Sequence, residues 1–158
     1  MMSDRSPRLI IGGIVAPFVG SLESLTQDYE PLGGEALFRA ADGGAIMQRT
    51  WERTRIITRG QGLIPSALAD LNYNQSVSLY CVQPRSSRAA ILPPHRTDAA
   101  TWRVSIMPDG RVFEGVRPDA AETLTMYFPV FEVFLLRPTE TFDRNNASWS
   151  WQLIAEEI

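Results

Sequence analysis

Apolar and polar residues alternate along several short stretches of this chain, and the clearest stretch lies near its end. In residues 148–153, Trp149, Trp151 and Leu153 alternate with serine and glutamine. Successive side chains of a β-strand point to opposite faces of the sheet. The pattern therefore predicts a half-buried strand whose three large apolar side chains face the core.

Two hairpins are predicted where alternating stretches meet turn residues. Residues 101–116 alternate around Pro108, Asp109 and Gly110, which suit a tight turn. A second hairpin is predicted from about residue 36 to residue 51, turning at the Asp-Gly-Gly of residues 42–44. Residues 49–59 fit a helix or a strand, and their β-branched threonines and isoleucines favour the strand.

Eleven glycines and eleven prolines cut the chain into pieces too short for long helices. Further strands are predicted at residues 76–82 and, divided by Pro129, at residues 124–136. One short helix is expected with Pro65 at its first position, ending before Asn72. The sequence thus predicts a mainly β protein, an antiparallel β-sandwich or barrel with one short helix. We expect a single domain over residues 1–158, with residues 1–8 as a flexible N-terminal arm.

Composition narrows the functional classes. The chain has 158 residues and a net charge of −3, so its overall charge does not favour DNA or an anionic membrane. An apolar run at residues 9–19 is broken by glycine and proline and is too short for a membrane helix. A single cysteine excludes an internal disulfide. We therefore expect a protein made in a reducing cytoplasm, without membrane or nucleic-acid partners.

Few residues offer catalytic or metal-binding chemistry. The one histidine, His95, lies in a proline-rich loop, and the one cysteine, Cys81, fits the core of a strand. The acidic residues show no calcium-loop or zinc spacing. The glycine pairs at residues 12–13, 33–34 and 43–44 lack the phosphate-loop pattern and are better explained as turns and bulges. We predict no enzymatic activity, no cofactor and no metal site.

The basic residues are all arginine, and four of them cluster around one tryptophan. Basic residues interleaved with an aromatic ring can bind single-stranded nucleic acid. In an acidic chain, however, such a strand is more often solvated or faces another subunit, where arginine is favoured. We therefore predict that the cluster contributes to a subunit interface: Arg49, Arg53, Arg55 and Arg59.

The order of several sequence features resembles one family of viral proteins. Residues 54–73 run from a strand through Gly-x-Gly, Ile-Pro and a leucine-rich turn to a tyrosine. An apolar strand closed by Pro-Arg, a Trp-Arg-Val hairpin and a tryptophan-rich ending follow in that order, at residues 79–85, 102–113 and 149–151. This order, over about residues 8–158, resembles small baseplate or distal-tail proteins of long-tailed bacteriophages.

The resemblance implies a structural virion protein that is assembled in the bacterial cytoplasm. Its family members form rings, commonly hexameric, that link the tail tube to the tail-tip proteins. We therefore expect a homo-oligomeric ring in contact with other tail proteins. The alternative is a small ligand- or carbohydrate-binding β-barrel module, in which some of the four tryptophans line the mouth of the barrel.

Overall fold

The computed structural model of the protein describes residues 8–15, 25–64, 66–88, 92–96 and 101–158. This part of the chain is mainly β and contains no α-helix. The predicted N-terminal arm, apart from Arg8, lies outside the described residues. The strands are β1 (Ile10–Ile11), β2 (Ile14–Val15), β3 (Thr26–Arg39), β4 (Ala45–Gln61), β5 (Val77–Tyr80), β6 (Arg85–Ser87), β7 (Trp102–Ile106), β8 (Val112–Glu114), β9 (Glu122–Tyr127), β10 (Val130–Leu135), β11 (Thr139–Asp143) and β12 (Ser148–Glu157).

The strands form two antiparallel sheets, an architecture that fits a β-sandwich. The large sheet has eight strands in the order β2-β1-β5-β10-β12-β4-β3, with β11 also paired to β12. The small sheet has four strands in the order β6-β9-β7-β8. The predicted mainly β, antiparallel fold is confirmed.

The core lies against the large sheet. Ile56 of β4, Leu79 of β5 and Leu153 of β12 are almost fully buried, together with Cys81 and Val133. These side chains come from neighbouring strands of one sheet, so a single face supplies most of the apolar cluster. Burying side chains of this size stabilises the fold by roughly 2 kcal/mol each.

Two bends carry the chain between the sheets. The segment from β5 to β6 bends at residues 81–84, and the segment from β9 to β10 bends at Phe128 and Pro129. Across the bends the Cys81 amide donates to the Pro129 carbonyl at 3.1 Å. The side-chain carbonyl of Gln27 accepts from the amides of Val82 and Gln83 at 2.9 and 3.1 Å. The predicted break at Pro129 is thus the point where the chain leaves the small sheet.

The predicted hairpins are confirmed, and the second is much longer than expected. Strands β7 and β8 turn at residues 107–111 through Gly110, whose φ is +83°. Strands β3 and β4 pair from Thr26–Arg59 to Arg39–Ala45 and turn through Gly43, with a φ of +84°. Residues 49–59 are therefore strand, as the β-branched residues indicated. No helix in the described part is long and apolar enough to cross a membrane.

Two expectations need correction. Among the described residues the predicted short helix is a single 3-10 turn, Ser66–Leu68, and Pro65 lies outside them. Leu68 enters the core and its carbonyl accepts from the Tyr73 hydroxyl at 2.5 Å, so tertiary contacts end the turn. Trp149 is 42% exposed and packs on the Phe142 ring instead of joining the core.

Candidate functional site

His95 and Cys81 are the two residues that the sequence analysis weighed for catalytic chemistry. His95 is exposed, and its Nδ1 lies 3.4 Å from the Pro93 carbonyl oxygen. Cys81 is fully buried, and burial raises the pKa of its thiol to about 12. A thiol held neutral in this way is a poor nucleophile at neutral pH. Within the described residues, no group of three or more potential ligands could hold a metal ion.

The four predicted interface arginines lie on β4 but on two different faces of it. Between Gly33 and Glu35 the pairing advances by two residues on β3 and by three on β4, so the alternation of faces shifts at this point. Arg53, Arg55 and Arg59 therefore share one face, opposite to the buried Ile56. Arg49, which is paired with Glu35 beyond the shift, projects from the other face. The strand thus brings together three of the four residues of the predicted cluster.

Each of these arginines is oriented by partners within the chain. Arg55 holds Glu156 of β12 through two hydrogen bonds of 2.8 and 3.0 Å, and Arg59 pairs with Asp28 of β3. Arg49 lies 2.9 Å from a Glu35 carboxylate oxygen. Arg53 differs, because it donates to the main-chain carbonyls of Glu52 and Ile158. These contacts hold the four side chains in place. That the arginines contribute to a subunit interface stays a prediction.

The outer part of the β3–β4 hairpin, residues 33–53, projects beyond the rest of the large sheet. We call it the projecting hairpin. Strand β12 pairs with β4 from Arg55 to Gln61, and β4 continues outward from there with β3 as its partner. Every residue from 41 to 53 is exposed. Among the residues that the structure describes, none supplies this part of the ladder with the third strand or the core contacts that hold the inner part.

The tip of the projecting hairpin carries large apolar side chains on both faces. Leu37 is paired with Met47, and the next pair is Phe38 with Ile46. All four are between 54% and 59% exposed. Directly paired residues share a face and successive pairs alternate, so each face of the tip carries one apolar pair. A solvent-facing hairpin normally has polar residues on at least one face.

A bulge marks the point where the projecting hairpin begins. The register shifts between Gly33 and Glu35, and the Thr50 hydroxyl donates to the Gly34 carbonyl at 2.9 Å. The Trp51 ring covers Gly34 so closely that a Cβ at this position would lie 2.4 Å from its indole nitrogen. The glycine pair at residues 33–34 thus lies at a bulge, as the sequence predicted, in which Thr50 and Trp51 of β4 both lie opposite Gly34. Bulges bend a strand and increase its twist.

The small sheet has one largely apolar face that borders a groove of about 480 Å³. Its side chains come from directly paired positions, since Val104 faces Leu124 and Ile106 faces Val112. Glu114 of β8 supplies a carboxylate at the same face. The six large apolar residues from the strands are Trp102, Val104, Ile106, Val112, Leu124 and Met126. We call this surface the small-sheet groove.

The two apolar surfaces were missed by the sequence analysis, although one left a visible signal. Leu37-Phe38 and Ile46-Met47 are adjacent apolar pairs at matching distances from the turn. Adjacent apolar residues in a strand must point to opposite faces, so they indicate a two-sided apolar tip. The groove could not be predicted in this way, because alternating apolar residues are equally typical of a strand whose apolar face lies in the core.

No family model, no curated protein and no solved structure matches this chain. The site is therefore interpreted from its own geometry.

Proposed function

We propose that this chain is a structural subunit of a bacteriophage tail tip, a baseplate or distal-tail ring component that links the tail tube to tail-tip proteins. It acts by assembly with copies of itself and with other tail proteins, not by catalysis, and its location is the virion. The observation that carries the proposal is the two-sided apolar tip of the projecting hairpin.

The projecting hairpin supports assembly because the described part of the chain gives it little stabilisation beyond its own strand pairing. A two-stranded hairpin alone is marginally stable in water. Four large apolar side chains at its tip are each more than half exposed, and their hydration is unfavourable. Contact with a neighbouring protein would remove this apolar surface from water. A protein surface of this kind is typical of subunits that complete one another on assembly.

The face of β4 that carries Arg53, Arg55 and Arg59 supports the same function. Arg55 and Arg59 are held by Glu156 and Asp28 within the chain, so little conformational entropy is lost when a partner contacts them. Arginine is enriched at protein interfaces, and it keeps unused donors after one bidentate contact. The face is thus suited to the polar rim of an interface whose apolar part is the hairpin tip.

Light scattering on the purified chain over a range of concentrations tests the proposal. We expect a discrete ring-sized oligomer that dissociates when Phe38→Asp and Met47→Asp place charges on the two faces of the tip. A protein that stays monomeric at every concentration, with and without these substitutions, contradicts self-assembly.

The alternative function, binding of a small apolar or carbohydrate ligand, is favoured by one observation. The small-sheet groove of about 480 Å³ falls within the size range of small-molecule sites, and Trp102 lies among its apolar lining. Tryptophan fluorescence on titration with apolar and sugar ligands tests it. Saturable quenching that Trp102→Phe removes would favour this alternative over assembly.

A further inference from the structure

We propose that the projecting hairpin of one copy docks in the small-sheet groove of a second copy. This inference rests on the assembly function proposed above and names the surface that receives the hairpin. The hairpin tip is apolar and exposed on both faces, and the groove is an apolar surface at whose border Val112 is 55% exposed. They lie in different sheets of the same chain.

Within the described residues the two surfaces do not cover each other. Here β3 and β4 make their extensive contacts with each other and with β12, while β7 and β8 pack with each other and with β9. Leu37 remains 59% exposed on the hairpin, and Val112 remains 55% exposed beside the groove. We therefore place the contact between two copies of the chain.

The projecting hairpin is long enough to reach that molecule. From Ala45 to Arg53, strand β4 extends beyond its pairing with β12. At about 3.3 Å per residue this stretch covers roughly 30 Å. Such a length is about the diameter of a small domain, so the tip can lie against the body of a neighbouring copy.

The chemistry of the two surfaces is complementary. The Leu37–Met47 pair presents aliphatic side chains to a groove lined by aliphatic and aromatic ones. Arg39 lies two residues beyond Leu37 on the same face, and its guanidinium donates to the Gly43 carbonyl at 3.2 Å. The groove carries the carboxylate of Glu114. We therefore place the Leu37–Met47 face toward the small sheet, with Arg39 near Glu114.

This contact joins two different surfaces of identical chains. Such head-to-tail contacts repeat from copy to copy and produce closed rings or open filaments, whereas a two-fold dimer buries the same surface on both copies. The docking inference thus explains how a single chain without covalent cross-links could build the proposed ring.

Two charged substitutions and one matched control test the contact by light scattering. Leu37→Asp changes the hairpin, and Val112→Asp changes the groove. Val116→Asp is the control, because Val116 is 67% exposed and does not line the groove. All three sites are more than half exposed, so the fold should persist, and circular dichroism with urea unfolding checks this.

The expected result is that Leu37→Asp and Val112→Asp each weaken self-association by roughly 100-fold or more, since an unpaired charge would be buried. Val116→Asp should assemble like the unmodified protein. A mixture of Leu37→Asp and Val112→Asp should form a one-to-one dimer and no ring, because one hairpin and one groove in such a pair are intact.

The outcomes separate the docking site from the proposed function. If Leu37→Asp dissociates the oligomer but Val112→Asp does not, assembly stands and the groove is not the receptor. If the unmodified chain is monomeric at every concentration, both the assembly function and this contact are overturned.

A cross-linking experiment keeps the inference testable if Val112→Asp fails to fold. Leu37→Cys and Val112→Cys are purified separately, mixed and treated with a bifunctional maleimide, while the native Cys81 is buried and protected. A covalent dimer is expected, and a mixture of Leu37→Cys with Val116→Cys should give none. Equal cross-linking of both mixtures would overturn the docking site.

Discussion

The inner half of the β3–β4 hairpin, around Ile56, pairs with a third strand and faces the core. The outer half, around Ile46, continues the same backbone ladder without either support in the described structure. Ile56 is fully buried and Ile46 is 57% exposed, although both lie on β4 ten residues apart. One continuous hairpin thus has a base that is packed in the fold and a tip that the described residues leave uncovered.

Strand pairing and apolar burial are thus separate sources of stability in this hairpin. Backbone hydrogen bonds continue along the whole hairpin, but their net contribution is modest compared with apolar burial. The base therefore belongs to the cooperative fold of the isolated chain. The tip is expected to be the least stable part of the ladder until a partner covers it.

The largest expected effect compares one substitution at both places. Ile56→Ala removes buried methyl groups from a packed core and should lower the free energy of unfolding by about 3 kcal/mol. Ile46→Ala changes an exposed side chain and should cost less than about 0.5 kcal/mol in the monomer. Urea unfolding of both variants, under conditions where the chain is monomeric, measures the difference. Equal losses would mean that the tip is buried in the isolated chain.

A second test uses two glycines that each lie beneath a tryptophan. A Cβ on Gly60 would lie 2.5 Å from the buried Trp151 ring, whereas one on Gly34 would meet the side chains of Thr50 and Trp51, which are both exposed. Gly60→Ala should lower the free energy of unfolding by about 2 kcal/mol, because the packed core around Trp151 cannot move aside. Gly34→Ala should cost less than about 1 kcal/mol, because the side chains of Thr50 and Trp51 can turn toward solvent. Thermal unfolding of the two variants compares them, and a larger loss for Gly34→Ala would contradict this account.

The third test uses the pH dependence of the free energy of unfolding, which reports on the core around Cys81 and Ile56. Burial raises the pKa of the Cys81 thiol from 9.0 to about 12, so the thiol keeps its proton in the folded state after the unfolded chain has lost it. This stability is fully present below pH 9 and is lost as pH rises toward 12, by about 1.4 kcal/mol per pH unit.

Urea unfolding between pH 8 and pH 10 should show that the free energy of unfolding decreases as pH rises. A Cys81→Ala variant should show a smaller decrease. Burial also raises the pKa of Tyr29, which adds a loss of the same sign at higher pH. An identical pH slope in the two proteins would show that Cys81 does not contribute.

The smallest expected effect concerns two ion pairs, one in each half. Glu156→Gln breaks the two-bond contact with Arg55 at the base and should cost about 0.5 kcal/mol, decreasing with added salt. Glu35→Gln breaks the Arg49 contact on the projecting hairpin and should have almost no effect on monomer unfolding. A larger loss of unfolding free energy for Glu35→Gln than for Glu156→Gln would mean that the projecting hairpin is part of the cooperative fold of the monomer.

Local pattern was enough to predict much of the fold. The alternation of apolar and polar residues predicted β7 and β12, and the glycine-containing turn sequences predicted the turns at Gly43 and Gly110. The β-branched residues indicated that residues 49–59 form a strand. These features depend on neighbouring residues, through side-chain alternation and backbone conformation, so the sequence alone determines them. The same reasoning placed the four arginines on one strand.

Tertiary structure decided the remaining features, because they depend on which segments meet across the fold. The predicted helix became a 3-10 turn since Leu68 is drawn into the core, and Trp149 stayed outside because Phe142 lies beside it. The same holds for the two apolar surfaces. Residues 37–38 and 46–47 have the composition of a buried strand, as do those of the small-sheet groove. The order of residues makes these positions apolar, and the arrangement of the two sheets, as far as the structure describes it, places them at the surface instead of in the core.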